Sequence, residues 1–165
     1  MTDKSTRKID VPPKGTRGAR VADFFFKLMK PLAGLEVGRY QKSSGPEQKM
    51  FMGFPVLVLT TVGAKSGQER SAVLGGFPDG DNAWLIIASK GGSPDHPGWL
   101  YNIAKNPDKV WVQVGNQKFK VSCQSLTGAE RQQAYDRVAS EAKPYGGYPK
   151  KTDREIPVLR LTRAE

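Results

Sequence analysis

Lys109-Val-Trp-Val-Gln-Val-Gly-Asn-Gln-Lys-Phe-Lys-Val-Ser-Cys-Gln-Ser-Leu126 is the stretch that decides the fold. Lys109–Val114 is a β-rich run, Gly115-Asn116 is a two-residue turn, and Phe119, Val121 and Cys123 then recur at every second position. A period of two puts those side chains on one buried face, and so short a turn makes the two strands antiparallel. Upstream, Asp79-Gly-Asp-Asn82 is a second hairpin signal, between an extended pattern from Glu69 to Phe77 and the apolar run Ala83–Ser89. Pro55–Thr61 is another apolar run of buried-strand length, broken by Gly63-Ala-Lys-Ser-Gly67. Ile156–Leu161 is a last strand, with Pro157 favouring its beginning or an edge.

Helices fall in the connections. Val21, Phe24, Phe25, Leu28 and Met29 recur at helical spacing, with Asp23, Lys27 and Lys30 on the other side, until Pro31 ends or kinks the run. Residues 41–49 read as a linker. Trp99–Lys105 is a short helix stopped by Asn106-Pro107, and Thr127-Gly-Ala-Glu130 resembles a capping box opening a helix to about Lys143. Tyr145-Gly-Gly-Tyr148-Pro149 reads as a turn-rich loop. Two hairpins, an extra strand and helical connections, without regular βαβ alternation, predict an α+β, mainly antiparallel small barrel. Residues 1–20 read as a flexible basic tail and residues 21–165 as a single domain.

The chain of 165 residues carries 26 Lys+Arg against 16 Asp+Glu, a formal charge of +10. Such a field favours phosphates, polycarboxylates, nucleic acid or anionic membrane, and is equally compatible with a solvated basic surface. No apolar run is long enough to span a bilayer, and Met1–Lys8 lacks the apolar core of a secretory signal, so a cytoplasmic location is expected. Cys123 is alone and there is no Cys/His cluster, so neither an intrachain disulfide nor a structural metal is expected.

Two segments carry candidate chemistry. Ser89-Lys-Gly-Gly-Ser-Pro-Asp-His-Pro-Gly-Trp-Leu-Tyr-Asn102 follows a strand with a lysine and paired glycines before a helix, an order suited to cradling an anion. Gly63-Ala-Lys65-Ser66-Gly67-Gln-Glu-Arg70 sets two cations around a turn that could bind phosphate or carboxylate; its spacing is not that of a P-loop, and taken alone the segment reads better as a solvated basic tip. His96 has no paired nucleophile and reads as a turn residue rather than a catalyst, while Cys123 reads as a core thiol. Trp99 either stacks on an aromatic ligand or fills the core. Tyr145 and Tyr148 either form a lid with proton-donating phenols or anchor their loop. Phe24-Phe25-Phe26 with basic flanks makes residues 21–32 a candidate for peripheral membrane contact, although such a stripe more often packs on its own domain. Aromatics are not interleaved with the cations, so nucleic acid is not an expected partner.

Taken together, Leu59–Arg70, Ala88–Asn102, Asn106-Pro107 and Lys151-Thr-Asp-Arg-Glu-Ile-Pro157 closely resemble the deazaflavin (coenzyme F420)-dependent nitroreductase and quinone reductase family of actinobacteria. The resemblance implies a flavin-reductase-like (FMN-binding) split β-barrel, reduced coenzyme F420 as cofactor, and hydride transfer to a small electron-poor acceptor: a quinone, nitroaromatic or activated alkene. It implies that Ala64, Lys65, Ser66 and Arg70 meet the cofactor's phosphate or glutamate tail. Ser71, Ala72, Val73, Leu74 and Gly75 would line the ring or its side chain, as would Ile87, Ala88, Ser89, Lys90, Gly91 and Gly92. Pro97, Gly98, Trp99, Leu100, Tyr101 and Asn102 would close the pocket, with Tyr145 overhanging the ring. Val73 stands where many relatives have proline. Ser89, Tyr145 and Tyr148 are the candidates to orient the acceptor or supply a proton. A carrier that holds the cofactor without turnover, and an FMN-dependent enzyme on the same barrel, are the alternatives. The resemblance points to a monomer or weak oligomer.

Overall fold

The computed structural model describes residues 8–29, 32–43 and 45–164. Eight strands, β1 (Met50–Phe51), β2 (Phe54–Val62), β3 (Glu69–Gly75), β4 (Phe77–Pro78), β5 (Ala83–Ile87), β6 (Trp111–Val114), β7 (Gln117–Ser125) and β8 (Val158–Arg163), form one curled antiparallel sheet. Its order is β1-β2-β6-β7-β8-β5-β4, with β3 also paired to β2 along Val56–Val62. This is the split-barrel arrangement expected. The β6–β7 hairpin closes with Val114 opposite Gln117. Gly115 is required at its turn: φ is +59°, and a Cβ there would come within 2.7–2.8 Å of the carbonyl oxygens of Gly45, Pro46 and Glu47.

Helices fill the connections: α1 (Arg20–Met29), α2 (Ala33–Ser43), α3 (Gly98–Lys105), α4 (Gly128–Glu141) and α5 (Lys143–Lys151). β5 is buried along its whole length because both its faces are covered. Trp84 and Ile86 join Leu57, Leu59, Leu100, Ile103 and Leu161 inside the barrel, while Leu85 and Ile87 pack with Tyr135, Val138 and Tyr145 under α4 and α5. A continuous apolar run is the signature of such a strand. Cys123 packs against the inner core, and burial pushes its thiol up to about 12, as befits a core thiol.

Several local expectations are corrected. Residues 41–43 belong to α2, so the linker is shorter than expected, and Tyr40 explains why the helix docks there. Its buried hydroxyl donates to Val56 O (3.0 Å) and accepts from Gly115 N (3.2 Å). The capping box is not formed: Thr127 makes no side-chain cap bond, and the Glu130 carboxylate instead accepts from Arg160 Nη1 at 2.7 Å. The tyrosine loop is helix α5, despite two glycines and an internal Pro149. Pro149 has no N–H for the Tyr145 carbonyl, and the Tyr135 hydroxyl takes that place at 2.6 Å. Burial of Tyr145 and this substitute bond override a composition that disfavours helix.

The loose tail is also corrected, for residues 8–19. Ile9 sits in the barrel core at 4% exposure. Gly15 N and Ala19 N donate to Pro94 O and Gly92 O, both at 2.9 Å. The Asp153 carboxylate accepts from Thr16 Oγ1 (2.5 Å), Thr16 N (2.9 Å) and Arg17 N (3.0 Å). The Thr16 hydroxyl foremost, then the Arg17 amide, hold that carboxyl down at about 2. The segment is a strap stitched across the barrel. Pro31 and the side chains of Phe25 and Phe26 lie outside the described residues.

Candidate functional site

The orientation of α1 is the first surprise at the site. Asp23, from its polar side, turns inward: it accepts a hydrogen bond from the Ser93 hydroxyl and pairs with Lys90 Nζ at 3.2 Å, while Lys27 stays exposed. Burial opposes ionisation of Asp23, but the Ser93 and Lys90 donors outweigh it and hold the carboxyl below its usual value. The apolar stripe faces outward instead, with Val21, Phe24 and Leu28 at 81%, 69% and 64% exposure. An amphipathic helix normally does the reverse. The exposed Met50, Phe51 and Met52 hairpin, whose tip has φ of +49° at Met52 and +85° at Gly53, adds further apolar surface.

A cleft of about 630 Å³ opens where α2, β3 and the Ser89–Trp99 segment meet α5. That volume is typical of a small-molecule site. Ala72, Val73, Leu74 and Gly75 on β3 form one wall. Ile87, Ser89, Lys90 and Gly91 form the second, Pro97, Gly98 and Trp99 the third, and Tyr145 and Tyr148 reach in from α5. Each was expected at the site, and the fold brings all of them together.

Gly75 makes room for Tyr145: a Cβ on it would meet the phenol oxygen at 2.5 Å. The Tyr145 ring is locked edge-on against Phe54, Phe77 and Tyr148, with centroids 6.0, 5.5 and 5.4 Å away. Burial raises both phenol pKa values, with the neighbouring tyrosines adding to the effect at Tyr145, so both stay protonated donors at neutral pH. Ser89 is 92% buried by the same measure that leaves it 8% exposed, and its hydroxyl caps nothing. Among the described residues, the hydroxyls of Ser89, Tyr145 and Tyr148 have no hydrogen-bond partner in the protein, yet none is sealed away from the cleft. Three unpaired donors converging on one apolar cavity is an arrangement made to hold an oxygen-bearing ligand.

Other expected residues do not line this cavity. Leu100 and Ala88 are fully buried, Leu100 packing in the barrel core with Ile103 on the buried face of α3. Ser71 is tied to the Thr60 hydroxyl at 2.7 Å, and Gly92, with φ of +84°, packs on Lys151. Tyr101 lies beside His96, ring centroids 6.1 Å apart. Asn102 braces the basic turn: its Oδ1 accepts from Ala64 N (2.9 Å) and its Nδ2 donates to Thr61 Oγ1 (3.1 Å). The turn it braces presents Lys65, Ser66 and Arg70 to solvent, outside the cavity, and neither cation forms an ion pair with a described residue. His96 is buried and structural: Arg154 Nη1 donates to its Nδ1 (3.2 Å), which makes Nε2 the donor to Pro12 O (2.6 Å).

Sequence reasoning missed Glu36, Phe51, Phe54 and Val56, which complete the cavity. Glu36 on α2 and Phe51 on β1 fall outside every element read from the sequence, as does Phe54; of the four, only Val56 lies in a run that was read, Pro55–Thr61.

The model of the family described as F420H(2)-dependent quinone reductase matches residues 33–163 of the chain. The chain is 42% identical over 112 residues to an F420H(2)-dependent quinone reductase of Mycobacterium tuberculosis, covering 66% of this chain and 74% of that protein. The same figures hold for a putative F420H(2)-dependent quinone reductase of Mycobacterium bovis. Among solved structures, an F420-H2-dependent reductase, FDR-A, superposes with a TM-score of 0.59 at 37% identity, over 65% of this chain and 93% of that one. A second, described as a domain-swapped dimer, gives 0.61 at 31% identity over 84% and 97%.

Proposed function

The chain belongs to the F420H(2)-dependent quinone reductase family, and from that premise we propose that it is an oxidoreductase reducing a quinone-type acceptor in the cleft lined by Ser89, Tyr145 and Tyr148. Reduced coenzyme F420, when bound, supplies the hydride. The residues fit such a cofactor: a cavity of about 630 Å³ with aromatic and aliphatic walls suits a flat ring, and unpaired Lys65 and Arg70 outside it suit an anionic tail. Ala72–Gly75, Ile87, Ser89–Gly91 and Pro97–Trp99 form the wall on the cofactor side. Phe51, Phe54 and Val56 flank the acceptor.

The three unpaired hydroxyls carry the reading. A quinone accepting a hydride develops negative charge on oxygen and needs one proton to become the hydroquinone. Tyr145 and Tyr148, held protonated by burial, can donate hydrogen bonds to that oxygen, and Ser89 offers a third donor in the same cleft. The stacked aromatic cluster behind Tyr145 keeps water from the same side.

No helix among the described residues is long and apolar enough to cross a membrane. The outward stripe of α1, with the Met50–Met52 hairpin beside the cleft, supports peripheral contact with an anionic bilayer in which a lipophilic acceptor dissolves. Co-sedimentation with phosphatidylglycerol vesicles, absent with phosphatidylcholine alone, checks that contact.

Spectral titration with oxidised F420 and with FMN, followed by menadione-dependent oxidation of F420H2, tests the function. Tighter binding of F420 and acceptor-dependent turnover are expected, with turnover reduced in Tyr145→Phe and Tyr148→Phe. Equal or better binding of FMN overturns the cofactor assignment, and binding of F420H2 without oxidation makes the protein a carrier. Unchanged turnover and pH dependence in both phenylalanine variants removes the proton-donor role.

A further inference from the structure

Arg154 is 6% exposed, and its guanidinium is engaged entirely with uncharged acceptors. Nη2 donates to Ala88 O (3.1 Å) and Ser89 O (2.9 Å), Nε to Ser93 O (2.8 Å), and Nη1 to His96 Nδ1 (3.2 Å). None of the ion pairs among the described residues includes it. A buried cation is ordinarily paired with a carboxylate; here Tyr101, Asp95, Tyr135 and Asp23 act on it only through space, and its direct partners are all dipoles.

The carbonyls it grips have a specific placement. Ala88 and Ser89 precede, and Ser93 follows, the turn in which Lys90, Gly91 and Gly92 all adopt left-handed backbone, with φ of +43°, +63° and +84°. Three such residues in succession, one of them not glycine, persist only where the surroundings over-determine them. One planar fork bridging both ends of the turn does that. Ser89, Lys90 and Gly91 are a wall of the cleft, so the guanidinium stands directly behind that wall. His96 carries the brace on to Pro12 of the strap through its 2.6 Å bond.

We propose that Arg154 is a positioning residue for the bound cofactor: it fixes the Ser89–Ser93 wall from behind and lends the cleft a positive charge, not directly paired with any carboxylate, that favours an anionic form of the bound ring system. The field of a buried charge with no directly paired carboxylate extends further into a cavity than that of a closed ion pair, Asp23 and Asp95 offsetting part of it. The inference rests on the deazaflavin reading above. A lysine at 154 keeps the charge but has no fork to bridge the turn, whereas methionine keeps bulk and loses both.

The test uses the intact protein, Arg154→Lys and Arg154→Met, with oxidised coenzyme F420 as probe. Affinity is read by fluorescence titration, and ionisation of the ring hydroxyl of the bound cofactor by absorbance against pH. In Arg154→Lys affinity should fall at least about fivefold while the ionisation midpoint stays at the wild-type value. In Arg154→Met affinity should fall further, and the midpoint should move to higher pH, towards that of the free cofactor. Affinity within about fivefold of wild type in Arg154→Lys overturns the proposal. So does an unmoved midpoint in Arg154→Met, which reduces the residue to a brace. Should the methionine variant not fold, the lysine affinity decides alone, with any loss under fivefold counting against the proposal. Failure of the wild type itself to bind F420 refutes the functional reading instead.

Discussion

Replacing Gly75 by alanine probes the closest contact of the site without touching any ligand. The strand backbone there is one that any residue adopts, so the only new feature is a methyl group. Its ideal position lies 2.5 Å from the Tyr145 hydroxyl and 3.1 Å from Phe77 Cε2. The first is about 0.9 Å closer than van der Waals contact allows, and the phenol is locked by rings on three sides. Overpacking of this kind costs about 1–3 kcal/mol, offset by about 0.4–1 kcal/mol from the lost freedom of glycine in the unfolded chain. A net loss of roughly 1–2 kcal/mol, or about 3–6 °C in Tm, is expected. Tyr145→Phe removes the clashing oxygen, which has no protein partner to lose, and leaves only the milder Phe77 contact. Gly75→Ala in that background should therefore cost at most about 0.5 kcal/mol, a coupling of about 1 kcal/mol. Urea unfolding of the four proteins measures the cycle. Additivity within about 0.3 kcal/mol would refute the placement of the hydroxyl over Gly75.

Tyr135→Phe leaves the Tyr145 carbonyl unpaired inside the protein and should cost about 1–3 kcal/mol, and adding Pro149→Ala, which restores a backbone donor, should recover part of that loss in thermal melts. His96, the single histidine, has its pKa lowered below 6.5 by burial and by the Arg154 charge against the pull of the Pro12 carbonyl. The unfolded chain therefore binds a proton that the folded one resists: stability is full above about pH 6.5 and declines as pH falls towards the folded value. The wild-type Tm should drop between pH 7.5 and 5.5 by more than that of His96→Gln, and equal drops would refute the assignment.

The strands and hairpins were legible because their signals are local. Alternation at Phe119, Val121 and Cys123, and the turns at Gly115-Asn116 and Asp79–Asn82, need only neighbours to be read. α5 was illegible for the opposite reason: its helicity depends on a hydroxyl from Tyr135, ten residues earlier, and on rings from two other elements, Phe54 on β2 and Phe77 on β4. The strap was misread because its partners, Pro94 and Asp153, stand far along the chain. At the site, residues on β3 and on the Ser89–Trp99 segment were found through motif and resemblance. Glu36 and Phe51 were not, since α2 is weakly amphipathic and β1 is two residues long. The inverted face of α1 is also a long-range effect: the apolar periodicity was correct, but Asp23 found a cation and a hydroxyl on the barrel.

The strap also dictates an order of events during synthesis. Thr16 leaves the ribosome long before its partner Asp153, 137 residues later, which at bacterial or eukaryotic rates is a wait of roughly 7–27 s. Ile9 likewise has no complete core to enter until β8 has been made and paired. The strap is thus made well before the residues it docks on, and it can close over the barrel only after β8 and Asp153 have been made.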